Sequence, residues 1–294
     1  MPLSALAGRH VVIEEHLDGA DIDLAFDARG TLLLGADGHP LAGGFGDRSS
    51  IPLRLWAMAH ERRLIERLDD RHDLRGSWSY AMRRVWYDRL PHYFNATDVF
   101  DRATGEWLST PRREALLAGS PVLSVPVLHA GPIPADVGAL TRLGARSLAK
   151  SVVWREAFGA ATRRESLPSN PWWRWVERSD QPFALIVKVE DERRVLGRYL
   201  LALPTRESPA DSPSTMPAML DGVGDLARRP LLPNALSPGA DLFADQPRVT
   251  WSELGARPAI PLVGALAVQR PRGFTAGKST GTSKATFTSS ESEP

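Results

Sequence analysis

The 294-residue chain reads as an α+β protein built from antiparallel strand hairpins with helices between them. Three observations predict this. Val11–Glu15 and Ile22–Phe26 are strand-like runs, and in the second Ile22, Leu24 and Phe26 alternate with Asp21, Asp23 and Ala25, the period of a half-buried strand. Leu53, Trp56, Ala57, His60, Leu64 and Leu68 recur at helical spacing after Ser50 and Pro52, which predicts one amphipathic helix to about Leu68. Phe183–Glu190 and Val195–Leu203 form the clearest hairpin, joined by Asp191-Glu-Arg-Arg194; both runs are apolar on nearly every position, so both faces are expected to be covered.

The remaining elements follow in order. Asp27–Gly30 is a turn and Thr31–Leu34 its return strand. Ala42–Asp47 is glycine-rich but lacks the lysine and hydroxyl of a phosphate-cradling loop, so it reads as a connection. His72–Tyr80 and Arg84–Tyr87 are expected strands, and Arg102–Gly105 closes a hairpin into Glu106–Leu108. Thr110-Pro111 opens a helix to about Ala118, with proline at a first-turn position where its missing N–H costs nothing. Val122–Leu128 is an apolar strand, and helices are expected over Pro134–Leu143 and Val152–Arg164. The tryptophan cluster Asn170–Trp175 reads as a packing plug rather than a base-stacking platform, and His60 as a packed, hydrogen-bonded core residue rather than a ligand. Pro204–Pro217 reads as a linker, Met216–Leu226 as a short helix, and the Ser/Thr/Gly-rich tail from Pro271 as disordered. This divides the chain into a main domain 1–203, a C-terminal extension 204–270 and a tail 271–294.

Composition excludes some chemistry. There is no cysteine, so disulfides, thiolate zinc sites and cysteine nucleophiles are ruled out, and a reducing, cytoplasmic setting is expected. Net charge is +1, so nucleic-acid binding must come from a local patch rather than a global field. No leader pattern is visible at the N-terminus, and Leu262–Val268 is too short to span a bilayer, so no membrane role is expected.

Glu15, His16 and Asp18 fall at a strand end beside Gly19, which lets the backbone approach a partner closely or turn at positive φ. From spacing alone this is either an active-site corner or an ordinary turn. Glu15-His-Leu-Asp-Gly19, however, resembles the first motif of the covalent nucleotidyltransferases, written Glu-Lys-x-Asp-Gly in RNA ligases. Gly76-Ser-Trp-Ser-Tyr-Ala-Met-Arg83 followed by Tyr87-Asp-Arg-Leu-Pro91, Asp98–Ser109, Val187-Lys-Val-Glu190, Gly197-Arg-Tyr199, Pro233-Asn234 and Asp241–Phe243 continue the likeness in register, from about Gly8 to Asp245. The chain thus resembles the bacterial ATP-dependent RNA ligases. That resemblance implies the ligase adenylation-domain fold, antiparallel sheets flanked by helices with ATP in a groove between them, a Mg2+ ion, and an RNA substrate as in RNA repair.

The likeness breaks at the charged positions. His16 stands where the family's lysine attacks the α-phosphate. The resemblance puts Asp37 at an arginine, Ser77 at a glutamate, Met82 and Arg83 at a lysine and a histidine, and Thr97 at the adenine-stacking aromatic. It puts Phe183 and Ala184 at the fourth motif's Glu-Gly, and Leu200 at the fifth motif's lysine. Glu15, Asp18, Gly19, Lys188 and Arg198 survive as nucleotide-binding positions. Adenylyl transfer needs a nucleophile, cations facing the phosphates and carboxylates for the metal. The expectation is therefore a degenerate RNA-ligase-like pseudoenzyme, with Phe183 and Leu200 filling the groove. Its role would be to bind RNA ends or nucleotide through Arg83, Arg84, Lys188 and Arg198, or to bind a protein partner. The alternative is an active ligase with His16 as nucleophile, since imidazole also forms phosphoramides.

Overall fold

The computed structural model describes residues 6, 8–41, 50–134, 137–165, 176–203 and 232–256. The glycine-rich loop, the tryptophan cluster, the Pro204–Pro217 linker, the Met216–Leu226 helix and the tail expected above lie outside them. The chain divides into the units Met1–Pro261 and Leu262–Pro294. All described residues belong to the first.

In chain order the strands and helices are β1 (His10–His16), β2 (Ala20–Phe26), β3 (Leu32–Ala36), β4 (His39–Pro40), α1 (Ser50–Ala59) and α2 (Glu61–Leu68). β5 (His72–Trp78), β6 (Phe94–Asp101), β7 (Glu106–Trp107), α3 (Thr110–Leu117), β8 (Leu123–Ser124) and β9 (Val127–Pro132) follow. The series closes with α4 (Val137–Leu143), α5 (Trp154–Arg164), β10 (Ala184–Glu190) and β11 (Val195–Ala202). The strands build two sheets, one in the order β11-β10-β1-β9 and a larger one in the order β4-β3-β2-β5-β6-β7 with β8 beside β6. All neighbours pair antiparallel except β6 with β8. Antiparallel sheets flanked by helices are the expected α+β architecture. β1 and β2 sit in different sheets, so the Leu17–Gly19 connection is where the chain crosses from one to the other.

Strand parity then places the site. Val11 and Ile13 of β1 pack with Leu140, Leu185 and Val187 into one core. The even positions, Glu14 and His16, therefore face the other way, toward the larger sheet. That sheet buries Leu24, Phe26, Leu74, Phe94 and Val99 against Trp56, Leu64 and Leu68 of α1 and α2.

Four local expectations are corrected. The helix from Ser50 to Leu68 is two helices: at His60 the backbone leaves helical dihedrals (φ −110°, ψ 7°), and His60 is buried against the Trp56 ring at 5.9 Å. Arg84–Tyr87 is not a strand, because the segment wraps around Asp18. Val122–Leu128 is two strands, broken at Pro126, which has no N–H for a ladder; Leu123–Ser124 joins the larger sheet and Val127–Pro132 the smaller. Of the apolar hairpin only β10 is covered on both faces. β11 is the sheet edge and exposes Leu196, Tyr199 and Leu200. A run of apolar residues signals a covered strand but cannot say that the cover exists.

Candidate functional site

Each residue singled out at the strand end has a definite place. Glu15 points away from the groove, is fully buried, and accepts from Ser147 Oγ (2.5 Å) and the Leu148 N–H (3.0 Å). Burial raises its pKa, against those hydrogen bonds and the Lys150 charge. Asp18 Oδ2 accepts the Arg84 and Val85 N–H groups at 2.5 and 2.7 Å, while the Asp18 N–H donates to the Tyr87 hydroxyl at 2.7 Å. Asp18 is thus the peg around which the irregular 84–87 segment is wound. Gly19 is required by close approach: a Cβ there would lie 2.2 Å from Ser77 Oγ and 2.8 Å from the Trp78 carbonyl. The close partner is the neighbouring strand, and Gly19 is not among the positive-φ glycines.

His16 closes β1, opposite Ala184. Its ring lies 5.6 Å from that of Phe183, tilted by 41°. The Arg84 guanidinium lies 5.4 Å from the same phenyl centroid. Burial lowers the His16 pKa, so the imidazole is neutral at pH 7; Asp21 and Asp18 pull the other way and Arg198 adds to the drop. His16 Nδ1 and Arg84 Nε are both buried with no hydrogen-bond partner among the described residues.

Between the two sheets lies a buried ion lattice. Lys188 Nζ meets Glu14 Oε2 at 2.8 Å, Asp98 Oδ1 at 2.9 Å and the Thr97 carbonyl at 2.5 Å. The ammonium is thus enclosed by two carboxylates and a carbonyl. Arg113 donates to Glu14 Oε1 (2.7 Å) and to the Thr97 carbonyl, and Arg198 pairs with Asp98 Oδ2 at 2.7 Å. Side-chain exposure is 1% for Lys188 and Arg113 and 0% for Glu14, but 42% for Arg198. Burial pushes the Asp98 pKa up, yet Lys188 and Arg198 together hold it well below the usual carboxylate range. The same lattice raises the Arg113 pKa: burial opposes the rise, and Glu14 overcomes it.

The remaining expected positions scatter. Asp37 sits in the β3–β4 turn at φ 50° and pairs with Arg83 Nη2 at 2.6 Å. Ser77 is buried and donates to the Leu17 carbonyl at 3.2 Å. Thr97 is buried and serves the lattice through its carbonyl. Phe183 does stand at the groove beside His16, but Leu200 is 64% exposed and fills nothing, which corrects the expectation of a double plug. Lys188 is likewise no part of a surface patch with Arg83, Arg84 and Arg198. Glu14, Asp98 and Arg113 are the residues that sequence reasoning missed. Parity alone could have found Glu14, two residues before His16 on the same face. Among the described residues no group of three or more His, Asp or Glu is gathered as for a metal, and no helix is long and apolar enough to cross a membrane.

Residues 9–147, which hold the Glu15–Gly19 corner, the β2–β6 strands and Arg113, match the family model for RNA ligase. Over this stretch the chain is similar to the RNA ligases. Solved structures of Naegleria gruberi RNA ligase are similar. One, a lysine-to-alanine variant with ATP and Mn, is 12% identical with a TM-score of 0.45, over 68% of this chain and 51% of that one. Another, with PPi, is 12% identical with a TM-score of 0.44, over 67% of this chain and 50% of that one. The chain spans about half the length of these solved ligases. No curated protein matches its sequence.

Proposed function

We propose that the chain is an RNA-ligase-like protein that no longer adenylylates itself and keeps the fold for binding, with RNA ends as its ligand. The observation that carries this reading is the closed corner at the nucleophile position: a neutral His16 imidazole packed against Phe183, where ligation calls for a lysine facing a phosphate. Two further features support it. Lys188 is buried and tied to Glu14, Asp98 and the Thr97 carbonyl rather than open to a phosphate, and Phe183 supplies a ring in place of a metal-holding carboxylate. The residues present therefore do not fit ATP with a divalent ion in the pose that the family resemblance implies. Losing one preorganised charge costs about 100- to 1,000-fold in such chemistry, and several losses together bring the rate near background. Arg198 and Arg84, at the groove mouth, are the cations left to meet an RNA phosphate.

One observation favours a second reading. His16 is neutral and its Nδ1 has no hydrogen-bond partner, which is the state a nucleophilic imidazole requires. Intact-mass measurement after incubation with ATP and Mg2+ or Mn2+ separates the two. No mass change is expected. A gain of one AMP that His16→Ala abolishes would establish the active reading instead. Tryptophan-fluorescence titration with short RNA then tests binding; no response to RNA leaves a protein partner as the ligand.

A further inference from the structure

Away from that site, a cleft of about 460 Å³ is lined by Asp88, Arg89, Ser151, Ser237, Pro238, Val249, Glu253 and Leu254. That volume is in the range of small-molecule sites. Its walls are aliphatic, Pro238, Val249 and Leu254, and its polar groups surround them. Ser237 is 4% exposed, and its hydroxyl oxygen is buried with no hydrogen-bond partner among the described residues.

The lining narrows the ligand class. Asp88 is already capped by the Ser151 N–H (2.8 Å) and hydroxyl (2.5 Å). Glu253 Oε2 accepts the Thr250 N–H (2.6 Å) and hydroxyl (3.1 Å), which leaves its second oxygen for a donor. Two carboxylates against the single Arg89 guanidinium disfavour a phosphate or another anion. No aromatic ring lines the cleft, so it offers no platform on which a base would stack. What remains is an uncharged molecule with an aliphatic face that both donates and accepts hydrogen bonds over a short span.

We propose that this cleft binds a sugar ring carrying a vicinal diol. The diol would donate to Glu253 and accept from Arg89, while the C–H face of the ring lies on Val249 and Leu254. The ring could come from the terminal ribose of an RNA strand or from a free sugar. The proposal stands apart from the adenylylation reading, because none of these residues belongs to the groove.

The test is calorimetric titration of the full chain with adenosine, 2′,3′-dideoxyadenosine and ribose. Saturable binding of adenosine or ribose is expected, with dideoxyadenosine weaker by about tenfold or more, the equivalent of one hydrogen bond to a charged group. Adenosine tighter than ribose identifies a terminal nucleoside as the source; ribose equal or tighter identifies a free sugar. Glu253→Gln, at an exposed position, should weaken adenosine by about tenfold. Leu254→Trp, which fills the cleft, should abolish binding, with circular dichroism showing that both variants fold. Equal affinity for dideoxyadenosine, no saturation by any probe up to about 10 mM, or binding that survives in folded Leu254→Trp would each overturn the proposal. So would adenosine binding unchanged in Glu253→Gln.

Discussion

Replacing Lys188 by methionine tests the ion lattice directly. The substitution keeps the apolar stem and removes the charge, so Glu14 and Asp98 each lose a partner at 2.8 and 2.9 Å while remaining buried. Breaking a buried pair by deleting one member costs about 3–5 kcal/mol. The lysine stem is already buried, so methionine returns only about 1 kcal/mol of apolar transfer. The net loss should be about 3 kcal/mol, or about 6–12 °C in Tm at this size. Arg198→Met provides the contrast: its pair with Asp98 has the same close geometry, but its side chain is 42% exposed, so the loss should stay below about 1 kcal/mol. Asp98 adds a pH signature. Its folded pKa is depressed, so its contribution is present above the unfolded value of about 3.9 and lost as pH falls below it. Lys188→Met lifts that depression, so the variant's deficit should shrink as pH falls below about 4. Urea unfolding followed by tryptophan fluorescence at pH 7 and pH 4 measures all three. If Lys188→Met costs less than Arg198→Met, or stabilises the protein, the groove can replace its charges with apolar groups and the lattice reasoning fails.

Four further outcomes are expected. Burial lowers the His92 pKa to about 4, against hydrogen bonds to Phe94 and Leu242. The neutral ring's contribution is full above about 6.5 and is lost as pH falls toward 4, by about 3 kcal/mol; His92→Gln should flatten that stretch of a stability–pH curve. Burial likewise brings Lys150 down to about 8, so stability should rise between pH 8 and about 10.4, a slope absent from Lys150→Met in alkaline urea titrations. Gly19→Ala should cost about 1–3 kcal/mol through overpacking against Ser77 and the Trp78 carbonyl. Adding Ser77→Gly should recover only part of the loss in chemical denaturation, because the carbonyl stays. Restoring the family's lysine with His16→Lys should leave intact mass unchanged after ATP treatment, since Phe183 and the lattice remain; a gain of one AMP would show that the groove still admits nucleotide.

Local chemistry was legible along the chain wherever one residue's neighbours decide its state. Alternating Ile22, Leu24 and Phe26, the Thr110-Pro111 helix start and the Asp191–Arg194 turn gave strands, helix and hairpin at nearly their observed bounds. The Glu15–Gly19 corner and its partner segments were equally readable as RNA-ligase-like, and the family match over residues 9–147 agrees. Reading failed where a residue's state depends on distant chain. Leu200 and Ile186 are both apolar, yet one is exposed at the sheet edge and the other buried in the strand beside it. Arg84–Tyr87 has strand composition, but the Asp18 carboxylate captures its N–H groups first.

The sequence by itself determined the α+β class, the strand end that carries His16, and which residue types stand at the positions that resemble the ligase motifs. Those are properties of residue identity and of a period of two. Only the tertiary structure decided that Lys188 is buried between Glu14, Asp98 and the Thr97 carbonyl, that Phe183 but not Leu200 stands beside His16, and that Ser237 is buried beside a cleft. An ion pair's worth is set by its distance and its depth from water, and both come from segments remote in the chain, such as those of Glu14, Asp98 and Lys188, meeting across two sheets.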